Sequence, residues 1–288
     1  MRIGAHALVW SGEFDQVGIE TAVTGAARAG FDHIEFPVFD PQDWDAAHTR
    51  ALLDAHGLTA AASLGLPEDR NISSADPSVV AAGRDHLYQV LDLLAAFGGS
   101  QLCGVIYSPL KKQVRPATPE EIANSQAALA QVAARAAELR IGVALEVVNR
   151  YESNLFNTAK GARAYLGGVD GDVGVHLDTY HMNIEESDMF QPVATAGELL
   201  TYVHIGESHR GYLGTGTVDF GSFFRALATA AYDGPVVFES FSSAVVSADL
   251  TGSLGIWRNL WDDSDDLAAH ANRYIRDSLR AVETISLH

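Results

Sequence analysis

The sequence predicts an α/β fold, namely a closed (β/α)8 barrel of the TIM-barrel architecture in which residues 1–288 form a single domain. Eight short apolar segments alternate with longer amphipathic segments, and this alternation is typical of a parallel sheet covered by helices. The 288 residues average 36 for each of the eight units, close to what a strand, a helix and two loops require. An open, doubly wound sheet is the alternative. It is disfavoured because residues 11–15, Ser-Gly-Glu-Phe-Asp, do not form a glycine-rich phosphate turn.

The eight predicted strands are short segments rich in β-branched and other apolar residues. They cover residues 3–10, 33–38, 59–66, 101–107, 143–148, 174–178, 202–206 and 236–241. Among the segments between them, the fourth gives the clearest helix, because Pro119 and Glu120 suit a first turn and apolar residues recur at helical spacing up to Leu139. The last segment has a similar apolar stripe, and the aspartates at 262, 263, 265 and 266 suit its N-terminus.

Charge and cysteine content exclude several classes of protein. The chain has 37 acidic and 19 basic residues, for a net charge of −18, and such a charge repels a phosphate backbone, so we expect no nucleic-acid partner. The single cysteine, Cys103, cannot form an intramolecular disulfide. No apolar stretch approaches the roughly 18 residues of a membrane span, and no signal-peptide pattern is recognised. We therefore expect a globular, cytoplasmic protein with no membrane partner.

Four polar residues stand at the carboxyl ends of the last four predicted strands, where the active sites of such barrels lie. They are Glu146, Asp178, His204 and Glu239, separated by 32, 26 and 35 residues, so we expect them at one level of the barrel mouth. Ionised carboxylates among apolar neighbours are costly unless a cation compensates them. Three carboxylates and one imidazole suit Mn²⁺, Mg²⁺ or Co²⁺. The alternative is four isolated polar groups, each satisfied by a backbone amide or a lysine.

Further polar residues follow the same strand ends, and their density predicts binding of a polyhydroxylated or anionic small molecule. They are Asn149, Arg150, Glu152, His181, Asn183, Glu207, His209 and Arg210, although loop side chains often simply face solvent. Glu185 and Glu186 are expected to be solvated or paired at the rim. His6 and Trp10 fit either a pocket wall or barrel packing. The glycines at 211, 214 and 216 fit a turn or lid better than a phosphate site, because no lysine follows them.

At these residues the sequence resembles the ketose 3-epimerases, the D-tagatose, D-allulose (psicose) and L-ribulose 3-epimerase group of the xylose isomerase-like barrels. The closest likeness is to the actinobacterial D-allulose 3-epimerases. The matching segments are Ala-Leu-Glu-Val-Val-Asn-Arg-Tyr-Glu at 144–152, Leu-Asp-Thr-Tyr-His-Met-Asn-Ile-Glu-Glu at 177–186, His-Ile-Gly-Glu-Ser-His-Arg at 204–210 and Val-Phe-Glu at 237–239. The resemblance extends over nearly the whole chain and includes Gly-Ile-Trp-Arg at 255–258.

The resemblance implies a metal-dependent epimerase that acts on free ketoses of the D-fructose/D-allulose, D-tagatose/D-sorbose or L-ribulose/L-xylulose type. One divalent ion per subunit, Mn²⁺ or else Mg²⁺ or Co²⁺, would be held by Glu146, Asp178, His204 and Glu239. Glu152, His181 and Arg210 match positions that bind the O1 to O3 end of the sugar, and His6 is a further candidate for substrate binding.

The expected reaction inverts C3 through a cis-enediolate. The proton on C3 of the ketose is acidic only because the C2 carbonyl can become an enolate, which a cation stabilises. Glu146 and Glu239 would be the catalytic pair, because inversion needs a base on one face of C3 and an acid on the other. The preferred ketose stays open. His6 stands where several relatives have an aromatic residue, and residues 107–112 lack a tryptophan that some carry.

Three alternatives to a ketose 3-epimerase are left open. An aldose–ketose isomerase of the same superfamily would share the metal site, and a metal-dependent endonuclease would need several zinc ions and a basic groove. A non-catalytic sugar-binding barrel has no reason to place two carboxylates at apolar strand ends. Trp257 and Trp261, taken to lie outside the site, suggest a subunit interface. We therefore expect a homo-oligomer, either a dimer or a tetramer.

Overall fold

Eight parallel strands close into a barrel in the computed structural model, which describes residues 1–42 and 44–285. Each strand pairs with the next in chain order, and β8 pairs with β1. The strands are β1 Arg2–His6, β2 His33–Pro37, β3 Thr59–Leu66, β4 Gln101–Pro109, β5 Gly142–Val147, β6 Gly174–Asp178, β7 Leu200–Ile205 and β8 Pro235–Phe238. The predicted (β/α)8 barrel is therefore confirmed.

Helices follow the strands around the outside of the barrel. They are α1 Gln16–Arg28, α2 Ala46–His56, α3 Pro77–Phe97, α4 Pro119–Leu139, α5 Ala159–Leu166, α6 Thr179–Glu185, α7 Gln191–Ala196, α8 Phe220–Thr229, α9 Ala248–Leu254 and α10 Ser264–Ile285. Over residues 1–42 and 44–285, no helix is both long enough and apolar enough to cross a membrane.

Two strands, β1 and β8, end three or more residues earlier than predicted. Strand β1 ends at His6 because Ala7–Val9 form a 3₁₀ turn, in which the His6 side chain accepts a hydrogen bond from the Leu8 N–H. Strand β8 ends at Phe238, which places Glu239 just beyond the last paired residue. Apolar periodicity does not distinguish a strand from the tight turn that follows it, and this is why both strands were predicted too long.

Local signals account for the start of helix α4. Thr118 caps it by accepting from the Glu121 N–H, and the Glu121 carboxylate accepts from the Thr118 N–H in return. This reciprocal pairing satisfies two of the backbone donors that a helix N-terminus leaves free, with Pro119 at its first position. The predicted start at Pro119 and the predicted extent to Leu139 are confirmed.

Two groups of buried residues form the core. The larger one lies where helices meet the sheet and includes residues from nearly every element. The smaller one takes its residues from five different strands, Ala61, Cys103, Ala144, Tyr202 and Val237, which meet in the barrel interior. Above this interior layer, strand register places Asp178 opposite His204 and Glu146 opposite His176. Pairing between neighbouring strands thus brings the candidate site residues of β5, β6 and β7 together at one end of the barrel.

Candidate metal centre and active site

Glu146, Asp178, His204 and Glu239 meet at the carboxyl end of the barrel. One potential ligand atom of each lies within 4.8 Å of those of the other three, and all four residues are buried. His204 lies between the two glutamates, with its Nδ1 atom 3.7 Å from Glu146 Oε1 and 3.5 Å from Glu239 Oε2. The structure therefore brings together the four residues predicted at the strand ends.

Arg210 provides positive charge next to this cluster. Its Nη1 atom donates to Glu239 Oε2 at 2.5 Å and lies 3.0 Å from Asp178 Oδ2. Burial raises the pKa of the Asp178 carboxyl, and the guanidinium offsets part of that rise. One guanidinium cannot by itself balance the three carboxylates of Glu146, Asp178 and Glu239, so the cluster attracts further positive charge.

The atoms that face the centre of the cluster fit a divalent cation. Among the described residues, the buried atoms Asp178 Oδ2 and His204 Nδ1 accept no hydrogen bond, although Asp178 Oδ2 lies at ion-pair distance from Arg210. Buried polar atoms are normally paired, and a cation between these two atoms would satisfy both. Carboxylate oxygens together with an imidazole nitrogen suit Mn²⁺, Mg²⁺ or Co²⁺, and the residues present therefore fit such an ion.

Glu35 is a buried carboxylate next to the cluster that the sequence analysis missed. It is fully buried on β2, and its Oε2 atom accepts a hydrogen bond from His204 Nε2 at 2.7 Å. Burial would raise the pKa of Glu35, but the imidazoles of His204 and His6 outweigh burial and lower that pKa to about 2. Ile34 and Phe36 flank Glu35, so the argument that selected Glu146 and Glu239, a carboxylate among apolar residues in a strand, applied equally to Glu35.

His181 and Glu152 lie beside Glu146, and Asn149 orients both. The Asn149 side-chain amide donates to Glu152 Oε1 at 2.8 Å, and its backbone N–H donates to His181 Nδ1 at 3.2 Å. Since Nδ1 accepts this bond, the other ring nitrogen of His181 carries the proton. That nitrogen lies 3.5 Å from Glu146 Oε1 and 3.8 Å from Glu152 Oε2. The structure thus places both residues beside the cluster, and their contact with a substrate stays a prediction.

The loop after β7 positions Arg210. The backbone of Arg210 adopts φ +62°, in the left-handed region that residues other than glycine seldom occupy. Its N–H donates to the Glu207 carbonyl at 2.9 Å, and its carbonyl accepts from the Ser240 hydroxyl. Ser240 Oγ accepts in turn from Trp261 Nε1 at 2.9 Å. The prediction that Trp261 lies at a subunit surface is therefore wrong, because its indole is only 5% exposed and supports Arg210 through Ser240.

A cavity of about 260 Å³ opens above the cluster, and its lining includes His6, Glu152, His181, Arg210 and three of the four candidate metal ligands, all except Asp178. Pockets for drug-sized ligands measure about 300–1,000 Å³, so this slightly smaller cavity suits a ligand smaller than that. Its outer wall is largely apolar and is formed by Phe39, Leu110, Leu250, Leu254, Ile256 and Trp257. Trp257 was expected outside the site. It is 79% exposed and yet lines the cavity, so its placement away from the site is wrong.

His6 and Trp10 have different roles. His6 lines the cavity, and its Nε2 atom is 3.3 Å from Ser63 Oγ and 3.4 Å from Glu35 Oε1. Trp10 instead packs between the barrel and the outer helices, where its Nε1 atom donates to Asp265 at 3.2 Å. The sequence left open whether these residues form a pocket wall or pack in the barrel. His6 is part of the pocket wall, and Trp10 is part of the barrel packing.

Several other polar residues of the rim have structural roles. Glu185 forms an ion pair with Arg150, with Nη2 and Oε2 2.8 Å apart, and Glu186 accepts from the Ala159 N–H. The glycine-containing loop after β7 turns around the Glu207 carboxylate, which accepts from the N–H groups of Ser208, Gly214 and Val218 at 2.8, 2.9 and 3.2 Å. Because these donors face a carboxylate, they support the prediction of a turn rather than a phosphate site.

Comparison with known proteins identifies the family. The xylose isomerase-like TIM barrel family matches residues 23–281. A ketose 3-epimerase of Arthrobacter globiformis is 57% identical over the full length of both chains. The chain belongs to the ketose 3-epimerases. It is therefore an enzyme of the isomerase class, as the resemblance at the strand ends predicted.

Two further relatives from Methylomonas sp. extend the comparison. An L-ribulose 3-epimerase of strain DH-1 is 52% identical, and the match covers 96% of this chain and 97% of the relative. A crystal structure of a D-allulose 3-epimerase in complex with D-allulose superimposes with a TM-score of 0.95 at 52% identity, covering 96% of this chain and 97% of that one. The relatives of this epimerase thus share its whole barrel.

Proposed function

We propose that this protein epimerises free ketoses at C3 with the aid of one divalent metal ion held by Glu146, Asp178, His204 and Glu239. The observation that carries the proposal is the position of Glu146 and Glu239, two buried glutamates on either side of His204 at the floor of the cavity. Two proton-transfer groups converging on one small-molecule cavity are what inversion of a carbon centre requires. When bound, the metal would supply positive charge for the oxyanion that develops at C2.

The chain's own residues would transfer the protons and bind the substrate. One glutamate of the pair removes the C3 proton of the ketose, and the other returns a proton to the opposite face. Glu152 and His181 hold hydroxyl groups at the O1 to O3 end, with their orientation fixed by Asn149. Arg210 holds oxygen atoms of the substrate without exchanging its protons. His6 would contact substrate as part of the cavity wall.

The relatives indicate which substrates to test. The curated relatives include L-ribulose 3-epimerases and D-psicose 3-epimerases, and one solved relative holds D-allulose. We propose that D-fructose/D-allulose and L-ribulose/L-xylulose are interconverted, with Mn²⁺, Mg²⁺ or Co²⁺ as the metal. The outer wall of the cavity offers apolar side chains such as Leu110 and Ile256 to the far end of the sugar.

Product analysis tests this function directly. The purified protein is freed of metal, reloaded with Mn²⁺, Mg²⁺ or Co²⁺, and incubated with D-fructose or L-ribulose. Formation of D-allulose or L-xylulose is the expected result. Formation of glucose or mannose from D-fructose would instead show an aldose–ketose isomerase, and an unchanged ketose under every metal would indicate a barrel that only binds sugar.

The domain organisation, the cellular location and the assembly of the protein are also proposed. We propose that residues 1–288 form one domain, that the protein works in the cytoplasm, and that it assembles into a dimer or tetramer. A single, fully buried Cys103 suits a reducing compartment. Size-exclusion chromatography with light scattering measures the number of copies.

A further inference from the structure

Glu35 occupies a position that the proposed reaction does not require. It lies in β2, a strand that contributes none of the four candidate metal ligands, and its side chain is completely buried. An ionised carboxylate in such a place is unfavourable unless specific donors face it. The groups that face Glu35 therefore show what this side chain does.

The donor to Glu35 is a candidate metal ligand. Glu35 Oε2 accepts from His204 Nε2 at 2.7 Å, a distance typical of a charge-assisted hydrogen bond. This bond uses one of the two ring nitrogens. The other, Nδ1, points between Glu146 and Glu239 and has no hydrogen-bond partner among the residues that the structure describes. With the proton held on Nε2, the lone pair of Nδ1 faces the metal cluster.

A second imidazole near Glu35 is that of His6, which lines the cavity. Its Nδ1 atom accepts from the Leu8 backbone N–H at 3.2 Å, so its ring proton is on Nε2. Nε2 lies 3.4 Å from Glu35 Oε1 and 3.3 Å from Ser63 Oγ. Glu35 thus lies between two imidazoles, but among the described residues its Oε1 atom has no hydrogen-bond partner, and the candidate metal ligand His204 is the imidazole that donates to it.

We propose that Glu35 is a positioning residue for the metal centre, which fixes the tautomer and the ring orientation of His204 so that Nδ1 is presented to the metal. This inference rests on the proposed function, since it assumes that His204 binds the ion. Carboxylates that accept the second ring N–H of a metal-bound histidine orient the ring and raise its basicity, and their loss typically weakens metal binding about 10–100-fold.

The competing explanation is that Glu35 only fills a polar gap in the barrel interior. In that case its replacement would change stability alone. Metal affinity and the state of the His204 ring distinguish the two explanations, because a residue that merely packs has no reason to change either one.

The main experiment measures Mn²⁺ affinity by electron paramagnetic resonance of the free ion. It compares the parent with Glu35→Gln, which keeps size but removes the charge. We expect the dissociation constant to rise about 10–100-fold. The matched control is Glu185→Gln, because the Glu185 side chain is only 5% exposed and pairs with Arg150 rather than with a candidate metal ligand. Its affinity should match that of the parent. An unchanged affinity in Glu35→Gln, or an equal loss in both variants, would overturn the proposal.

A second measurement observes the hydrogen bond itself. In the Mg²⁺-loaded parent with ¹⁵N-labelled histidine, the Nε2 proton of His204, assigned by its loss in His204→Asn, should resonate far downfield. In Glu35→Gln it should move upfield, because the acceptor is no longer charged. A His204 proton found on Nδ1 in the loaded parent overturns the inference even if the variant fails to fold. A parent that binds neither ion refutes the proposed metal site itself, and this result differs from a parent that binds metal with unchanged affinity in Glu35→Gln.

Discussion

Glu146 and Glu239 differ in their surroundings although both are proposed to transfer protons. Glu239 accepts from Arg210 at 2.5 Å, whereas Glu146 lies 3.5 Å from the protonated ring nitrogen of His181. Burial opposes ionisation of Glu239, but Arg210 and His204 outweigh burial and hold its pKa well below the usual range. Each glutamate therefore has its own partner, which is consistent with separate roles on the two faces of C3.

Replacing either glutamate by glutamine tests this division. Glu146→Gln and Glu239→Gln keep the side-chain size and one oxygen but cannot transfer a proton, so epimerisation should fall about 10²–10⁴-fold in each. Each variant with metal bound should still exchange the C3 hydrogen of one epimer with deuterium oxide, and the two variants should prefer opposite epimers. Product formation, deuterium content and metal content are measured together. Near-parent turnover in one metal-loaded variant would make that residue a ligand only.

The loop between β7 and α8 shows how an element depends on one buried carboxylate. Glu207 is fully buried and accepts three backbone N–H groups of its own loop, and the same loop holds Arg210. Gly214 provides one of these donors at φ +81°, a conformation that glycine adopts without strain. Hydrogen bonds between the Glu207 carboxylate and the backbone of the same loop therefore hold its conformation.

Glu207→Gln should loosen this loop. The amide cannot accept all three bonds equally well and places its NH₂ group against backbone donors, which should cost about 1–3 kcal/mol in the free energy of unfolding. Urea denaturation measures that loss, and limited proteolysis should show faster cleavage between residues 208 and 218. The comparison variant is Glu198→Gln, which removes an exposed ion pair to Arg163 and should leave the free energy of unfolding nearly unchanged. Equal stability of both variants would contradict the organising role of Glu207.

Helix α3 contains a buried histidine, His86, from which we predict that the stability of the protein depends on pH. Burial and the adjacent Arg70, 2.8 Å away, lower the pKa of His86 from 6.5 to about 4. Between pH 4 and 6.5 the unfolded chain binds a proton that the folded protein does not. This contribution to stability is therefore complete above pH 6.5 and is lost as the pH falls towards 4.

The slope of stability against pH isolates His86. A single such group changes the free energy of unfolding by at most about 1.4 kcal/mol per pH unit in this window. His86→Gln can still accept from Arg70 but does not titrate, so its unfolding free energy should fall less steeply between pH 6.5 and 4 than that of the parent. Denaturation at several pH values gives both slopes. Parallel curves would show that His86 has the same proton affinity in both states.

The whole barrel connects metal binding to stability. The four candidate ligands belong to β5, β6, β7 and the end of β8, so an ion bound there would link half of the barrel strands. A ligand that binds only the folded state stabilises it, by about 2.7 kcal/mol at a hundredfold excess over its dissociation constant.

Chelation should therefore lower the melting temperature as well as abolish turnover. Calorimetry with and without EDTA, followed by restoration with Mn²⁺, measures both effects on one sample. The control is Asp178→Asn, whose melting temperature should respond much less to the chelator because one ligand is lost. Full activity of a protein that metal analysis shows to be empty would refute metal dependence.

The sequence by itself determined the barrel and the members of its polar cluster. Strand and helix periodicities are local properties, and a parallel barrel necessarily gathers the carboxyl ends of its strands at one face. For this reason Glu146, Asp178, His204 and Glu239 could be selected from polar residues at strand ends alone. The strand ends themselves were less predictable, because the 3₁₀ turn after His6 is as apolar as the strand before it.

Only the tertiary structure decided which distant residues meet. Glu35 and His204 are 169 residues apart, and their hydrogen bond depends on how β2 and β7 face each other across the closed barrel. The path of the chain between β8 and α10 buries Trp261 against Ser240 and brings Trp257 to the cavity. Local sequence patterns fix the direction of each strand and the period of each helix. Barrel closure and loop packing set the distances between side chains across the interior, and those distances are not encoded in any local pattern.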